Sequence, residues 1–266
     1  MTTADPRLAK AYARAPVTGA SSPAVVTAFR LLDLLIQRPS GARLADLARD
    51  LSLPKSSALR ILATMCQIGV VRRDESTGSY QPGTRLLDYA KAPLNFDMDL
   101  VREFYRVAEP MHARLEETVQ LAVLSATDVV FIARIDSTKV VRLVTQIGRR
   151  LPAHATAVGK AILAFSEAAD VDRIIGAGLP GLTANTITDP VAFRAELDRA
   201  RRDGYAAESE ESSANLSCVS APVFGPDDVV RAGITVCVPV SRLTPAQSAS
   251  LAEAVCDCAR ALSGTR

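Results

Sequence analysis

PKSSALRILATMCQIG, residues 54–69, reads as a helix with one apolar face, one polar face and a marked stop. Leu59, Leu62 and Cys66, with Ala63 beside them, recur at the i, i+3, i+4, i+7 spacing that lines one side of a helix. Ser56, Arg60, Thr64 and Gln67 line another side. Pro54 suits the first helical position, where a missing N–H loses no intrahelical partner, and Gly69 suits the residue after the last turn because it tolerates positive φ.

The neighbours of this helix give it a meaning. Leu44 to Leu51 (LADLARDL) is a second short amphipathic stretch, separated from the first by little more than Ser52 and Leu53, so the pair predicts a helix-turn-helix. After Gly69 come Val70 to Arg73, a turn-like Asp74-Glu75-Ser76-Thr77-Gly78, and Ser79 to Gln81, which predict a β-hairpin. Together they make a winged helix-turn-helix, whose second helix offers its N-terminal half to the major groove of double-stranded DNA. Lys55, Ser56, Ser57 and Arg60 are then expected to face DNA, with Arg43 in front of the first helix of the motif. Arg72, Arg73, Ser76, Thr77 and Ser79 on the wing are expected to reach phosphates or the minor groove.

The chain of 266 residues is too long for one such module and comfortable for two domains. Its net charge of +2 hides an asymmetry: residues 1–92 hold 13 Lys and Arg against 7 Asp and Glu, whereas residues 93–266 hold 18 against 22. A basic front half fits a polyanionic partner, because neutralising phosphates and releasing their counterions dominates DNA affinity. No apolar run is long enough to span a bilayer and the N-terminus has no apolar signal core, so a cytosolic protein without membrane contact is expected. Five cysteines make no disulfide framework and fit a reducing compartment. Cys256 and Cys258 resemble a ligand pair, but helical residues two apart point away from each other and the chain has only two histidines, so no metal site is expected.

In chain order, residues 1–22 read as a flexible basic arm, and Ala24 to Gln37 as a support helix with Val25, Ala28, Leu32, Leu35 and Ile36 inward. Leu86, Leu87 and Ala90 close the winged domain, expected over residues 23–92. A linker helix from Asp99 to about Thr118 carries Leu100, Phe104, Val107, Met111 and Leu115, and Pro110 is expected to kink it or split it in two. Residues 93–117 are the expected linker and 118–266 the second domain. There Val119–Ser125, Val129–Asp136 and Val140–Thr145 read as strands, followed by helices from about Thr156, Glu167 and Pro190. Two long strands, Asn215–Phe224 and Val229–Val240, and a helix from Pro245 to Leu262 complete an α+β fold with a largely antiparallel sheet.

Enzymatic motifs are missing. Gly159-Lys160 lacks the upstream glycine and the following Ser or Thr of a phosphate loop, and there is no GxSxG, GxGxxG or HExxH. His112 and His154 have no nucleophile beside them in sequence, so no catalytic residue and no cofactor is expected. What the pattern offers is a small-molecule pocket. Thr235 and Cys237 share one face of a strand while Ile234, Val236 and Val238 share the other, and Cys218 and Ser220 alternate in the same way. The helix start at Ala155–Val158 exposes backbone N–H groups that favour an anion. Glu208-Ser209-Glu210-Glu211 reads as a solvated acidic loop.

LPKSSALRILATMCQIGVVRRDESTGSYQPGTRLL from Leu53, LPAHATAVGKAILAF from Leu151 and ESEESSANLSCVSAPVFGPDDVVRAGITVCVPVSRLT from Glu208 together resemble the IclR family of bacterial transcriptional regulators. The likeness runs from about Ala24 to the C-terminus. It implies an N-terminal winged helix-turn-helix, a linker helix and a C-terminal GAF-like effector-binding domain. It also implies homodimers, often paired into homotetramers, on palindromic operators near catabolic genes that are often repressed. By motif, the small organic acid effector falls on Ala157 and Val158, on Glu208 and Cys218, and on Thr235 and Cys237. Ala157-Val158 stand where binders of small acids usually carry Gly-Ala, and Thr235 and Cys237 replace two serines, which implies a larger carboxylate, aromatic ones included. Two other readings stay open: a GAF-like redox sensor or enzyme using Cys218 and Cys237, and a nucleoid-type protein that binds DNA without an effector.

Overall fold

The computed structural model describes residues 22–38, 40–91, 98–140 and 146–264. The expected arm, apart from Ser22, lies outside the described residues, as do residues 92–97 and five of the six residues of the strand expected at Val140–Thr145. The chain divides into two compact units, Met1–Phe96 and Asp97–Arg266.

The first unit holds helices α1 (Pro23–Ile36), α2 (Leu44–Asp50) and α3 (Lys55–Ile68), strands β1 (Val71–Arg73) and β2 (Tyr80–Pro82), and helix α4 (Arg85–Lys91). Its core is Leu31, Leu35, Leu47, Leu62, Met65, Val71 and Tyr80, so three helices close over one face of the β1–β2 hairpin. Two inward faces differ from expectation. In α1, Leu31 and Leu35 are buried while Val25 and Ile36 are more than half exposed. In α3 the buried residues are Ala58, Leu62 and Met65, whereas Leu59 and Ala63 face out. The apolar run in α3 is wide enough to support two registers about the helix axis, and the packing against α1 and β1 selects one. Gly69 ends α3 with φ 87°, and its N–H reaches the Met65 and Cys66 carbonyls. The hairpin gains a short third partner that the sequence pattern does not announce: Ala42 and Tyr80 exchange backbone hydrogen bonds of 3.0 and 2.8 Å.

The second unit begins with α5 (Met98–Leu115), a single helix with Pro110 inside it, so of the two outcomes expected there, a kink or a split, the split does not occur. Strands β3 (Thr118–Ser125), β4 (Asp128–Ile135), β5 (Arg150–Pro152), β6 (Ala206–Ser209), β7 (Leu216–Phe224) and β8 (Val230–Pro239) form one antiparallel sheet in the order β5-β4-β3-β8-β7-β6. The edge strands β5 and β6 are too short to show a period and were not expected. Between β5 and β6 lie α6 (Ala157–Leu163), α7 (Ala168–Ala177) and α8 (Pro190–Asp203), and α9 (Pro245–Leu262) follows β8. Thr156 and Asp189 cap α6 and α8, and Thr244 with Gln247 forms a capping box on α9.

One face of the sheet is apolar apart from Ser217 and Ser209 at the β7–β6 end, whose hydroxyls hydrogen-bond each other at 2.8 Å. Val119, Leu121, Val219, Ala221, Val223, Ile234, Val236 and Val238 meet Leu100, Phe104, Ala108 and Met111 of α5 and Leu251, Val255, Ala259 and Leu262 of α9. The apolar stripe of α5 is thus satisfied within its own unit. Replacing Phe104, which is fully buried, by Ala should cost about 3–5 kcal/mol, read as a lowered midpoint of denaturant unfolding for the C-terminal unit; a change within 0.5 kcal/mol, about the size of a neutral surface substitution, would contradict this account of the core.

Candidate functional site

The outward side of α3 carries Lys55, Ser56, Leu59, Arg60, Ala63, Thr64 and Gln67, all exposed, with Ser57 partly covered at its edge. Among the described residues Arg43, Lys55 and Arg60 have no carboxylate within ion-pair distance. Their charges therefore remain available to an external anion. On the wing, Asp74 organises the turn: its Oδ1 accepts from the Ser76 N–H at 2.9 Å, the Ser76 hydroxyl at 2.6 Å and the Thr77 N–H at 3.2 Å. The Ser76 hydroxyl, then the two backbone donors, hold the Asp74 carboxyl below its usual range. Arg72 donates to the Gln81 side chain and Arg73 lies over the Tyr80 ring, 5.9 Å from its centroid. Both guanidiniums stay exposed on a hairpin of fixed register. Ser79 departs from expectation: it is buried and its hydroxyl hydrogen-bonds the Thr77 hydroxyl at 2.7 Å, so it braces the wing from inside.

In the second unit, the sheet face opposite α5 and α9 carries polar side chains in two adjoining rows. Strand register sets Glu208, Cys218, Cys237 and Thr118 side by side across β6-β7-β8-β3, and next to them Ser220, Thr235 and Gln120 across β7-β8-β3. All seven are at least nine-tenths buried. The following row, Pro222-Gly233-Ala122, is apolar, and α6 lies on it so closely that a Cβ on Gly233 would stand 2.7 Å from Val158 Cγ2. Ala157, at the start of α6, packs with Cys218 and Cys237. The sheet thus brings Ala157, Glu208, Cys218, Thr235 and Cys237 into one neighbourhood, with Val158 turned toward Gly233.

The Glu208–Glu211 segment is not the solvated loop its composition suggests. Glu208 and Glu211 are 4% and 7% exposed. Glu208 accepts from the Glu211 N–H at 2.8 Å and the Ser212 hydroxyl at 3.0 Å. Glu211 forms an ion pair with Lys160 of α6, which is fully buried, and Glu196 of α8 stands 3.9 Å from the same ammonium. The hydroxyls of Thr183 and Thr186 hold the Glu210 and Glu211 carbonyls at 2.6 and 2.7 Å. Removing one partner of a buried pair leaves an uncompensated charge, at about 3–5 kcal/mol. The signal for this was AVGKAILAF: a lysine with apolar neighbours throughout a short helix needs a carboxylate brought to it from elsewhere in the chain.

Titration follows burial. Loss of water around Glu208 is the largest influence and raises its carboxyl above the usual range, partly opposed by the hydrogen bonds it accepts. Cys218 and Cys237 have their sulfurs 3.1 Å apart; the hydrogen bond to Cys237, then burial, pushes the Cys218 thiol well above its usual value. A thiol so held carries little thiolate at neutral pH, which weighs against the oxidation-sensor reading. His154 and His112 are structural: His154 Nε2 lies 3.1 Å from the Pro180 carbonyl and its ring stands edge-on to Phe193, while His112 Nδ1 lies 2.9 Å from the Glu117 carbonyl. Burial holds the His154 imidazole below its ordinary range.

A cleft of about 120 Å³ opens elsewhere, at the end of α5, lined by Leu115, Glu117, Lys139, Val238, Arg242 and Leu251. Glu117 is already bridged there by Lys139 at 3.0 Å and Arg242 at 2.7 Å, so the cleft presents a compensated charge cluster. No described helix is long and apolar enough to cross a membrane, and no group of three or more His, Cys, Asp or Glu among the described residues is placed to hold a metal ion.

Comparison with known proteins bears on both regions. Residues 24–75 match the IclR helix-turn-helix domain and residues 96–264 match the bacterial transcriptional regulator IclR C-terminal domain. The HTH-type transcriptional regulator BhcR of Paracoccus denitrificans is 31% identical over 241 residues, spanning 88% of this chain and 85% of the relative. The HTH-type transcriptional repressor AllR of Klebsiella pneumoniae is 31% identical over 238 residues, spanning 88% and 86%. Among solved structures, an IclR homologue of Microbacterium hydrocarbonoxydans complexed with 4-hydroxybenzoate superposes with a TM-score of 0.77 at 25% identity, over 90% of this chain and 97% of that one.

Because the folded state raises the Glu208 pKa, its favourable contribution is complete below the unfolded value and is lost as pH climbs through the folded one. Glu208→Gln, which can still accept from the Glu211 N–H, should therefore be more stable than the parent chain at pH 7, with the gap closing toward pH 4, about the unperturbed glutamate value. Equal or opposite pH dependence in thermal unfolding would contradict the burial argument.

Proposed function

The chain belongs to the IclR family of bacterial transcriptional regulators, which are not enzymes, and we propose that it is a DNA-binding repressor of a catabolic operon that responds to a small carboxylic acid, an aromatic one in particular. The observation that carries the effector half of this reading is the enclosed polar patch on one face of the C-terminal sheet. A core needs no such patch: seven buried polar or sulfur-bearing side chains gathered in two rows, on a sheet whose opposite face is filled largely by aliphatic side chains, suit a ligand with polar ends. The relative solved with 4-hydroxybenzoate supports an aromatic acid as the class.

In this reading the effector meets Glu208, Cys218, Thr235 and Cys237 near Ala157 and Val158, with its carboxylate on the Glu208-Cys218-Cys237 row. Burial raises the Glu208 carboxyl above its usual range, which lessens its repulsion of a bound carboxylate. Because both rows are closed from solvent, the ligand enters by displacing the cover that Lys160 and Glu211 hold in place, and so favours one conformation of this unit over another. The DNA-binding half places Lys55, Ser56, Ser57 and Arg60 in the major groove of a palindromic operator and Arg72, Arg73, Ser76 and Thr77 on its backbone, with Arg43 beside them. Two copies of the chain bind such a site. Val25, Phe29 and Ile36, exposed on α1, offer part of the contact between copies in a homodimer, and two such dimers pair into a homotetramer under closed symmetry.

Measurement on purified protein tests both halves. An aromatic acid held about a hundredfold above its dissociation constant should stabilise the C-terminal unit by roughly 2.7 kcal/mol. The thermal shift should disappear in Cys218→Ala and Thr235→Val. Arg60→Ala should weaken binding to a selected DNA site, and Arg72→Ala should flatten the dependence of log affinity on log salt by about one unit. DNA affinity that ignores Arg60, or acids that never shift the melting curve, would count against the corresponding half.

A further inference from the structure

The second polar row holds two side chains that no motif assigns. Gln120 on β3 and Ser220 on β7 flank Thr235 of β8, directly paired with it on either side. They are 1% and 0% exposed, and neither the Gln120 Nε2 nor the Ser220 Oγ has a hydrogen-bond partner. Their neighbours on the same face are engaged. Thr235 donates to the Val219 carbonyl at 3.3 Å, Cys218 to Cys237, and Thr118 Oγ1 accepts from the Ser137 N–H at 3.3 Å. The other end of the Gln120 amide faces the Cys237 thiol at 3.6 Å.

Buried donors without partners are rare in folded proteins, and two on opposite sides of one residue, turned to the same face, point to one missing group. The Gln120 nitrogen can only donate and the Ser220 hydroxyl can donate, so the group they await is an acceptor oxygen. Side chains two residues apart along a strand are separated by about 7 Å, which sets the distance from the Cys218–Cys237 row to this one. A single ring with substituents at opposite positions spans a gap of that size.

We infer that Gln120 and Ser220 are specificity-determining residues that read a second oxygen on the effector, at the far end from its carboxylate. This rests on the sheet face being the effector site. The ligand class is narrowed accordingly, from carboxylic acids in general to acids bearing a distal hydroxyl or oxo group. An acid without that oxygen leaves both donors unpaired in the complex and is rejected, the asymmetry by which a site built to hydrogen-bond discriminates against an analogue that cannot.

The test is a matched-pair titration on the full chain, with 4-hydroxybenzoate against benzoate, and 6-hydroxyhexanoate against hexanoate, by calorimetry. The parent protein should prefer the hydroxylated member of at least one pair by about tenfold or more. In Gln120→Leu and in Ser220→Ala that ratio should fall toward one, because affinity for the hydroxylated acid drops while affinity for the plain acid holds. The unliganded melting midpoint should not fall in Ser220→Ala, which removes only a hydroxyl with no partner, whereas Gln120→Leu also removes the oxygen that faces the Cys237 thiol; a purely structural role would lower the Ser220→Ala midpoint and leave the ratio alone. A preference retained unchanged in both variants overturns the inference. Acids that bind in a Cys218- and Thr235-dependent way without preference for the hydroxylated member overturn it too, leaving the site itself intact. Binding of none of the four acids overturns both.

Discussion

The ion pair between Lys160 and Glu211 is the constraint on which the C-terminal unit turns. An ammonium with no exposed surface must have its charge met, and the carboxylate that meets it comes from a segment 51 residues further along the chain. That requirement brings the 208–212 segment down onto α6 and places Glu208 where its oxygens can accept from the Glu211 N–H and the Ser212 hydroxyl. Thr183 and Thr186 secure the same segment from the other side. The segment is therefore held on α6 by charge and hydrogen bonds.

The sheet beneath divides its two faces by chemistry. Valine, leucine and isoleucine on one side are met by α5 and α9, giving a rigid platform. On the other side α6 seals the apolar row at Gly233, and in the two polar rows next to it aliphatic packing gives way. The backbone hydrogen bonds of β3, β7 and β8 fix the rows relative to each other. In the N-terminal unit a similar economy holds: Leu62, Met65, Val71 and Tyr80 fix the recognition helix against the wing, while Arg43, Lys55 and Arg60 stay outside the core with no carboxylate partner among the described residues.

Most of the fold was legible because its long elements carry strong periods. The winged motif was readable from the amphipathic pair of helices, the Gly69 stop and the turn at Asp74, and α8 and α9 from the proline and cap residues at their starts. Short elements were not: β5, β6 and the Ala42–Tyr80 bridge exist only because the rest of the chain offers them a strand edge. Facing errors in α1 and α3 arose where apolar residues cover more than one side of the helix, so that composition alone leaves the rotation open. In the site, alternation along β8 correctly separated Thr235 and Cys237 from Ile234 and Val236. What the sequence could not convey was cross-strand register. Nothing local marks Gln120 as the neighbour of Thr235, or Glu211 as the partner of Lys160, and the acidic run was misread because its buried partner lies on another helix.

In the proposed function one molecule couples acid binding to DNA binding. The direct measurement is the affinity of the full chain for a DNA site selected from genomic fragments, by fluorescence anisotropy, with and without a saturating acid that raises the melting temperature. Linkage requires the acid to change DNA affinity and the DNA to change acid affinity by the same factor, within a range of about 5- to 150-fold for typical coupling. A reciprocal change that disappears when Thr235 is replaced by Val is the predicted result. DNA affinity indifferent to an acid that demonstrably occupies the sheet face would contradict the account.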